Sequence, residues 1–187
     1  TKKQFLQLFL IGLIGGSIPF LLFFKGLQIT TATNAAFIHK TLFIYVTVLA
    51  FLFLKEKINK PILIAITLLL IGVVLIQKLT YIDFNTGDLL IFIATLFWAV
   101  EIIISKKALV RLTSRVVAFG RMFFGSLVMS LFLFFTNRIQ LIGAFSLAQI
   151  QWILITSLFL FGYVFTFYIA LKHIKASTAT TILLLGL

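Results

Sequence analysis

The sequence predicts an all-α membrane protein, a polytopic bundle of helices, and three observations predict it. Apolar residues fill 62% of its 187 positions and only 11% are charged, against about 25% charged in soluble domains. Mean hydropathy is +1.22. The apolar residues gather in runs at about 5–24, 32–54, 61–77, 87–105, 115–136, 151–171 and 176 onward, most of them near the roughly 20 residues that cross a hydrocarbon layer of about 30 Å. Runs of this length are read as helices rather than strands, because in lipid each backbone polar group must be satisfied within its own segment.

The first run follows Lys2 and Lys3 and is already a full span, too long for a signal peptide. Its Gly12 and Gly16 have the spacing of a close helix contact. Gly15-Gly16-Ser17 and Pro19 mark a weak point where the helix could open beside a substrate. The second run carries His39 and Lys40 and ends in FLFLKEKI. Pro61 suits the first position of the third helix, and the cluster Asn85-Thr86-Gly87-Asp88 is a turn before the fourth. The fourth helix contains Glu101, the fifth Arg121, and the sixth Tyr163, Thr166 and Tyr168. The expectation is six complete helices and the start of a seventh. A chain opening Thr-Lys-Lys and ending at Leu187, about ten residues into that last run, reads as an internal fragment.

Alternating the loops places Lys2, Lys3, Lys55, Lys57, Lys60, Lys106, Lys107, Arg111, Arg115, Lys172 and Lys175 on one side and Lys25, Lys78 and Arg138 on the other. Eleven cations against three orient the chain with its lysine-rich loops cytoplasmic, so the first helix runs outward. The net charge of +12 is therefore assigned to topology. A nucleic-acid surface would gather its cations on one soluble face, so no nucleic-acid partner is expected. The absence of cysteine excludes disulfides, thiolate chemistry and cysteine-ligated zinc.

An internal repeat follows from a shift of 144 positions, which lays GLQITTATNAAFI from Gly26 onto ALKHIKASTATTI from Ala170. Leu27 meets Leu171, Ala32 meets Ala176, Ala35 meets Ala179 and Ile38 meets Ile182. One copy is expected outside and the other inside, the mark of an inverted-topology repeat.

The small-Leu-x-x-x-x-Ala-x-x-Ala pattern, FLFLKEKI at Phe51–Ile58, LLLIGVVLI with Gly72, and GDLLIFIATLFWAVEIIISKKAL from Gly87 together resemble the EamA repeat of the drug/metabolite transporter superfamily. The resemblance implies ten helices in two inverted five-helix repeats. Residues 1–80 would then be helices three to five of the first repeat, and residues 81–187 helices six to eight and the start of nine. Many relatives carry a proline where this chain has Phe43, so a break in that helix is not assumed.

Candidate site residues are the polar groups stranded in these spans. A charge near the bilayer centre costs at least about 2.5–3.5 kcal/mol, so such a group faces protein or a wet cavity. Lys40 lies roughly 12 Å deep at 1.5 Å per residue, and Thr33 and Thr47 fall on its helical face. This stripe is expected to wall a central pathway in which Lys40 attracts an anionic group of the substrate, unless its long stem carries the ammonium to the interface. Asn34, Thr41 and Tyr45 form a second face. His39 is read as hydrogen-bonded packing. Glu101 precedes Lys106 by five residues and Arg121 follows Arg115 by six, so the two share a depth on consecutive antiparallel helices. They form either a buried ion pair or, with Glu101 partly unpaired and its charge disfavoured by desolvation, a proton-coupling site. Trp98 and Ser105 share the Glu101 face.

The phosphate loop GxxxxGK[ST], HExxH and GxSxG are absent. The resemblance implies transport of small molecules, and the chain is read as a secondary-active exporter of small metabolites or amphiphilic compounds working by alternating access. It is expected to be no enzyme, to need no catalytic residue, cofactor or metal, to sit in the plasma membrane, and to have a small-molecule substrate, the lipid bilayer and a second copy in a homodimer as its partners. The alternative is a non-transporting scaffold or a subunit of a membrane complex.

Overall fold

The computed structural model describes residues 2–58, 60–77 and 84–185. Its helices are α1 (Lys2–Gly16), α2 (Ile18–Leu27), α3 (Ala32–Lys40), α4 (Leu42–Leu54), α5 (Lys60–Gln77), α6 (Thr86–Ala108), α7 (Ser114–Phe135), α8 (Leu147–His173) and α9 (Ala176–Leu185), with one 3-10 turn at Ile139–Ala144. No strand occurs among the described residues. Among the described residues, five stretches are long and apolar enough to cross a membrane: Lys2–Leu27, Ala32–Leu54, Thr86–Ala108, Ser114–Phe135 and Leu147–His173. The chain is a polytopic helical membrane protein. Lys78, counted above among the outer cations, lies outside the described residues.

Two of these spans are interrupted. In the first, α1 stops at Gly16 and α2 starts at Ile18. Pro19 has no N–H, so the carbonyl four residues back, Gly15 O, has no intrahelical donor. Ser17 Oγ donates to Leu13 O at 2.9 Å. In the second, the helix tightens at Thr41, whose N–H and Oγ1 both donate to Ile38 O, at 3.1 and 2.6 Å. This break needs no proline at Phe43, because a threonine hydroxyl competes for the same carbonyl.

α6 is the hub and packs against α1, α2, α3 and α4, while α1 also crosses α7. At that second crossing the backbones touch. A Cβ on Gly16 would lie 2.8 Å from Arg121 O, and one on Gly125 would lie 2.8 Å from Gly16 O, so only glycine permits the approach.

The two ends of the bundle are tied by side chains reaching backbone. At the lysine-poor end, Asn85 and Asp88 form the capping box of α6, and Thr30 Oγ1 donates to Asp88 Oδ1 at 2.5 Å. At the lysine-rich end, Glu56 accepts from Ala176 N at 2.7 Å and from Ser177 Oγ at 2.8 Å, a carboxylate on a helix N-terminus as the macrodipole favours. Lys106 Nζ donates to Leu171 O and Ile174 O, each at 2.6 Å, closing the C-terminus of α8. The two copies of the repeat, 144 positions apart, lie at opposite ends of α6. Gly26 sits against Gly87 at its start, and Ile174 is held by Lys106 near its end.

Candidate functional site

The helix break at Ser17 leaves a carbonyl pointing into the protein, and two side chains converge on it. Trp98 Nε1 donates to Gly15 O at 3.1 Å and Arg121 Nη2 donates to the same oxygen at 3.0 Å. Beside them lies Glu101, 1% exposed. Its Oε1 accepts from Tyr168 Oη at 2.5 Å and from Ser105 Oγ. Its Oε2 is 4.0 Å from Arg121 Nη1, and the Arg121 guanidinium carbon lies 5.9 Å from the Tyr168 ring centroid. A buried charge survives only when paired and hydrogen-bonded. Here α1, α6, α7 and α8 each supply part of that solution.

Above this charged floor opens a cavity of about 550 Å³ lined by Phe20, Phe23, Phe24, His39, Trp98, Glu101, Arg121, Tyr163 and Phe167, with Leu42, Ile102, Leu160 and Leu183. Its wall is an aromatic cluster. The Trp98 ring is 5.0 Å from His39, 5.3 Å from Phe20 and 5.6 Å from Phe23, centroid to centroid, within the range of edge and offset contacts. The volume falls in the 300–1,000 Å³ typical of small-molecule sites.

Trp98, Glu101 and Arg121 are thus brought together, and the ion-pair arrangement of the last two is the one seen. Lys40, Thr33, Thr47, Asn34 and Tyr45 do not line the cavity. Lys40 is half-buried and Thr33 exposed. Thr47 is buried and returns its hydroxyl to Phe43 O at 2.7 Å. Asn34 donates its backbone N–H to the capping Thr31 Oγ1 at 3.2 Å. Tyr45 meets Thr41 Oγ1 at 3.3 Å and packs on Phe92. One step of about 100° around the helix puts His39, read from the sequence as packing, on the cavity face in place of Lys40. The break at Thr41 also ends the continuous helix on which the stripe from Thr33 to Thr47 rests. His39, the Gly15 carbonyl and the cavity rings Phe20, Phe23, Phe24 and Phe167 are the site groups that sequence reasoning missed. For the carbonyl a signal existed: Pro19 stands four residues after Gly15. Among the described residues no three His, Asp or Glu side chains gather as metal ligands would.

The sequence profile of the EamA-like transporter family matches residues 1–77 and 85–186. A protein of Methanothermobacter thermautotrophicus described as an uncharacterized transporter is 31% identical over 113 residues, which are 56% of this chain and 32% of that relative. The chain therefore spans about a third of the relative's length. No solved structure matches the chain.

Proposed function

Because the chain belongs to the EamA-like transporter family, a family of membrane transporters, we propose that its aromatic cavity is where small amphiphilic compounds rest on their way through the membrane. The observation that carries this reading is the combination of an apolar, ring-lined chamber of about 550 Å³ with a charged floor buried in a membrane bundle. A membrane protein with no solute to handle has little reason to keep an ion pair and a cavity at that depth, since polar groups there are costly.

Movement of the two repeats about this chamber gives alternating access, and the broken helices α1/α2 and α3/α4 supply the joints. The outer tie of Thr30 to Asp88 and the inner tie of Glu56 to the start of α9 are the contacts that such movement breaks in turn. The lysine-rich loops face the cytoplasm, the plasma membrane is the location, and the direction is export. A substrate gradient or ion exchange drives the cycle.

The test is transport in proteoliposomes of the full-length protein with a panel of amphiphilic metabolites, beside Trp98→Ala and Glu101→Gln. A transported compound should also raise the Tm of the solubilised protein by mass action. Both variants should lose most of the flux. Flux at the wild-type level in both would overturn the assignment of the chamber.

A further inference from the structure

The floor of the cavity is asymmetric. Glu101 is spent: Oε1 takes the hydroxyls of Tyr168 and Ser105, and its side chain is 1% exposed. Arg121 is not. It holds Gly15 O through Nη2 at 3.0 Å, but Nη1 stands 4.0 Å from Glu101 Oε2, beyond the roughly 2.7–2.9 Å of a charge-assisted hydrogen bond. The Arg121 side chain is 9% exposed, and it lines the cavity. A molecule resting against Trp98, His39 and Phe23 therefore meets a guanidinium edge. Glu101 lines the same cavity, with its Oε1 taken up by the two hydroxyls.

Resting on the reading of the chamber as the substrate site, we infer that Arg121 receives a carboxylate on the substrate, which makes the substrate class an amphiphilic anion: an apolar or aromatic body in the ring-lined chamber and one carboxylate on Arg121. The planar fork of an arginine suits a carboxylate. The contact to Gly15 O, which Pro19 leaves open, and the Tyr168 ring fix the guanidinium, so little side-chain freedom is lost on binding. The two hydroxyls on Glu101 hold its charge away from the incoming anion.

Three probes with one body separate charge from shape: 2-naphthoate, 2-naphthylmethanol and 2-naphthylmethylammonium. Their binding to the full-length protein is measured by isothermal titration calorimetry, above the uptake by empty micelles. Naphthoate should bind about tenfold or more tighter than the alcohol, the contribution of one hydrogen bond to a charged group, and the ammonium more weakly than either. Arg121→Gln should level naphthoate with the alcohol, and Lys40→Gln should leave the preference unchanged. If Arg121→Gln fails to fold, the double variant Glu101→Gln/Arg121→Gln, which strands no buried charge, takes its place. Equal binding of naphthoate and alcohol by the wild type, or a preference that survives loss of Arg121 or vanishes with Lys40→Gln, overturns the role of Arg121 and leaves the chamber standing. If none of the three probes binds the wild type, the chamber falls with it.

Discussion

α6 and α8 are both long apolar helices, 23 and 27 residues, of nearly equal hydropathy, yet 56% of the apolar window of α6 is buried in the protein against 17% of that of α8. Hydropathy reports that a helix crosses the bilayer and says nothing of what surrounds it, since lipid tails and leucine side chains are equally apolar. The polar residues tell the two apart. On α6, Asp88, Thr95, Glu101 and Ser105 are all buried; Asp88 accepts from Thr30 in the turn between α2 and α3, and Glu101 accepts from Tyr168 on α8. On α8, Thr156 and Thr166 are exposed and return their hydroxyls to their own carbonyls, Trp152 O and Gly162 O, each at 2.8 Å. Only near its end does α8 turn polar groups inward, where Tyr168 reaches Glu101.

The strongest way to break this comparison is to strand the charge that α6 buries. Arg121→Ala leaves Glu101 facing no cation in a site 1% exposed, and removing one partner of a buried pair costs about 3–5 kcal/mol. Leu158→Ala on α8, at a position 71% exposed, should change stability by less than about 0.5 kcal/mol. Thermal or denaturant unfolding in one detergent compares them directly. The double variant Glu101→Gln/Arg121→Ala should recover a large part of the loss, because no uncompensated charge remains. Equal effects of Arg121→Ala and Leu158→Ala would show that α6 is no more central than α8.

A smaller effect comes from filling space beside the same carboxylate. A Cβ on Gly15 would overlap Glu101 Cγ and lie 2.9 Å from its Cδ. Gly15→Ala therefore has to push Glu101 away from Tyr168 and Ser105, or shift α1 from α6. Overpacking of this kind costs about 1–3 kcal/mol. The unfolding assay reads the loss. The reach of Trp98 Nε1 to Gly15 O should loosen with it, giving a change in indole fluorescence in a Trp152→Phe background that is absent when Gly162 is replaced.

The same contrast explains how much could be read from the sequence. The spans were legible because the bilayer imposes a length. The run predicted at 87–105 is observed as Thr86–Ala108, and the one at 151–171 as Leu147–His173. The second starts earlier because Ser146 and Gln149 form a capping box, a local polar signal that hydropathy passes over. The distances of Glu101 and Arg121 to flanking cations set them at one level of neighbouring helices, and their side chains do meet, at 4.0 Å. What could not be read was direction around the helix axis. His39 and Lys40 differ by one position, and nothing in a uniformly apolar helix says which of two adjacent polar residues faces in. The partner of Arg121 and Trp98 was hidden for a different reason. Gly15 contributes a backbone carbonyl, and only the proline four residues later records that it is free.

The smallest effect tests the exposed side of the comparison. Gly162 lies in the middle of α8, and a Cβ there would meet nothing within 4 Å, while the Thr166 hydroxyl bond to Gly162 O needs no glycine. Gly162→Ala should therefore gain stability, since alanine improves on glycine in a helix by up to about 1 kcal/mol through the freedom it removes from the unfolded chain. The sign is informative beyond α8 itself. In monomeric detergent the gain should appear in full. If it turns into a loss when the protein is reconstituted at high density in bilayers, a second copy packs its backbone against Gly162, and the exposed face of α8 is the contact of a homodimer. A gain of equal size in both settings means that no second copy packs against that face, and it sharpens the division between α6, which holds the site together, and α8, which joins it through Tyr168.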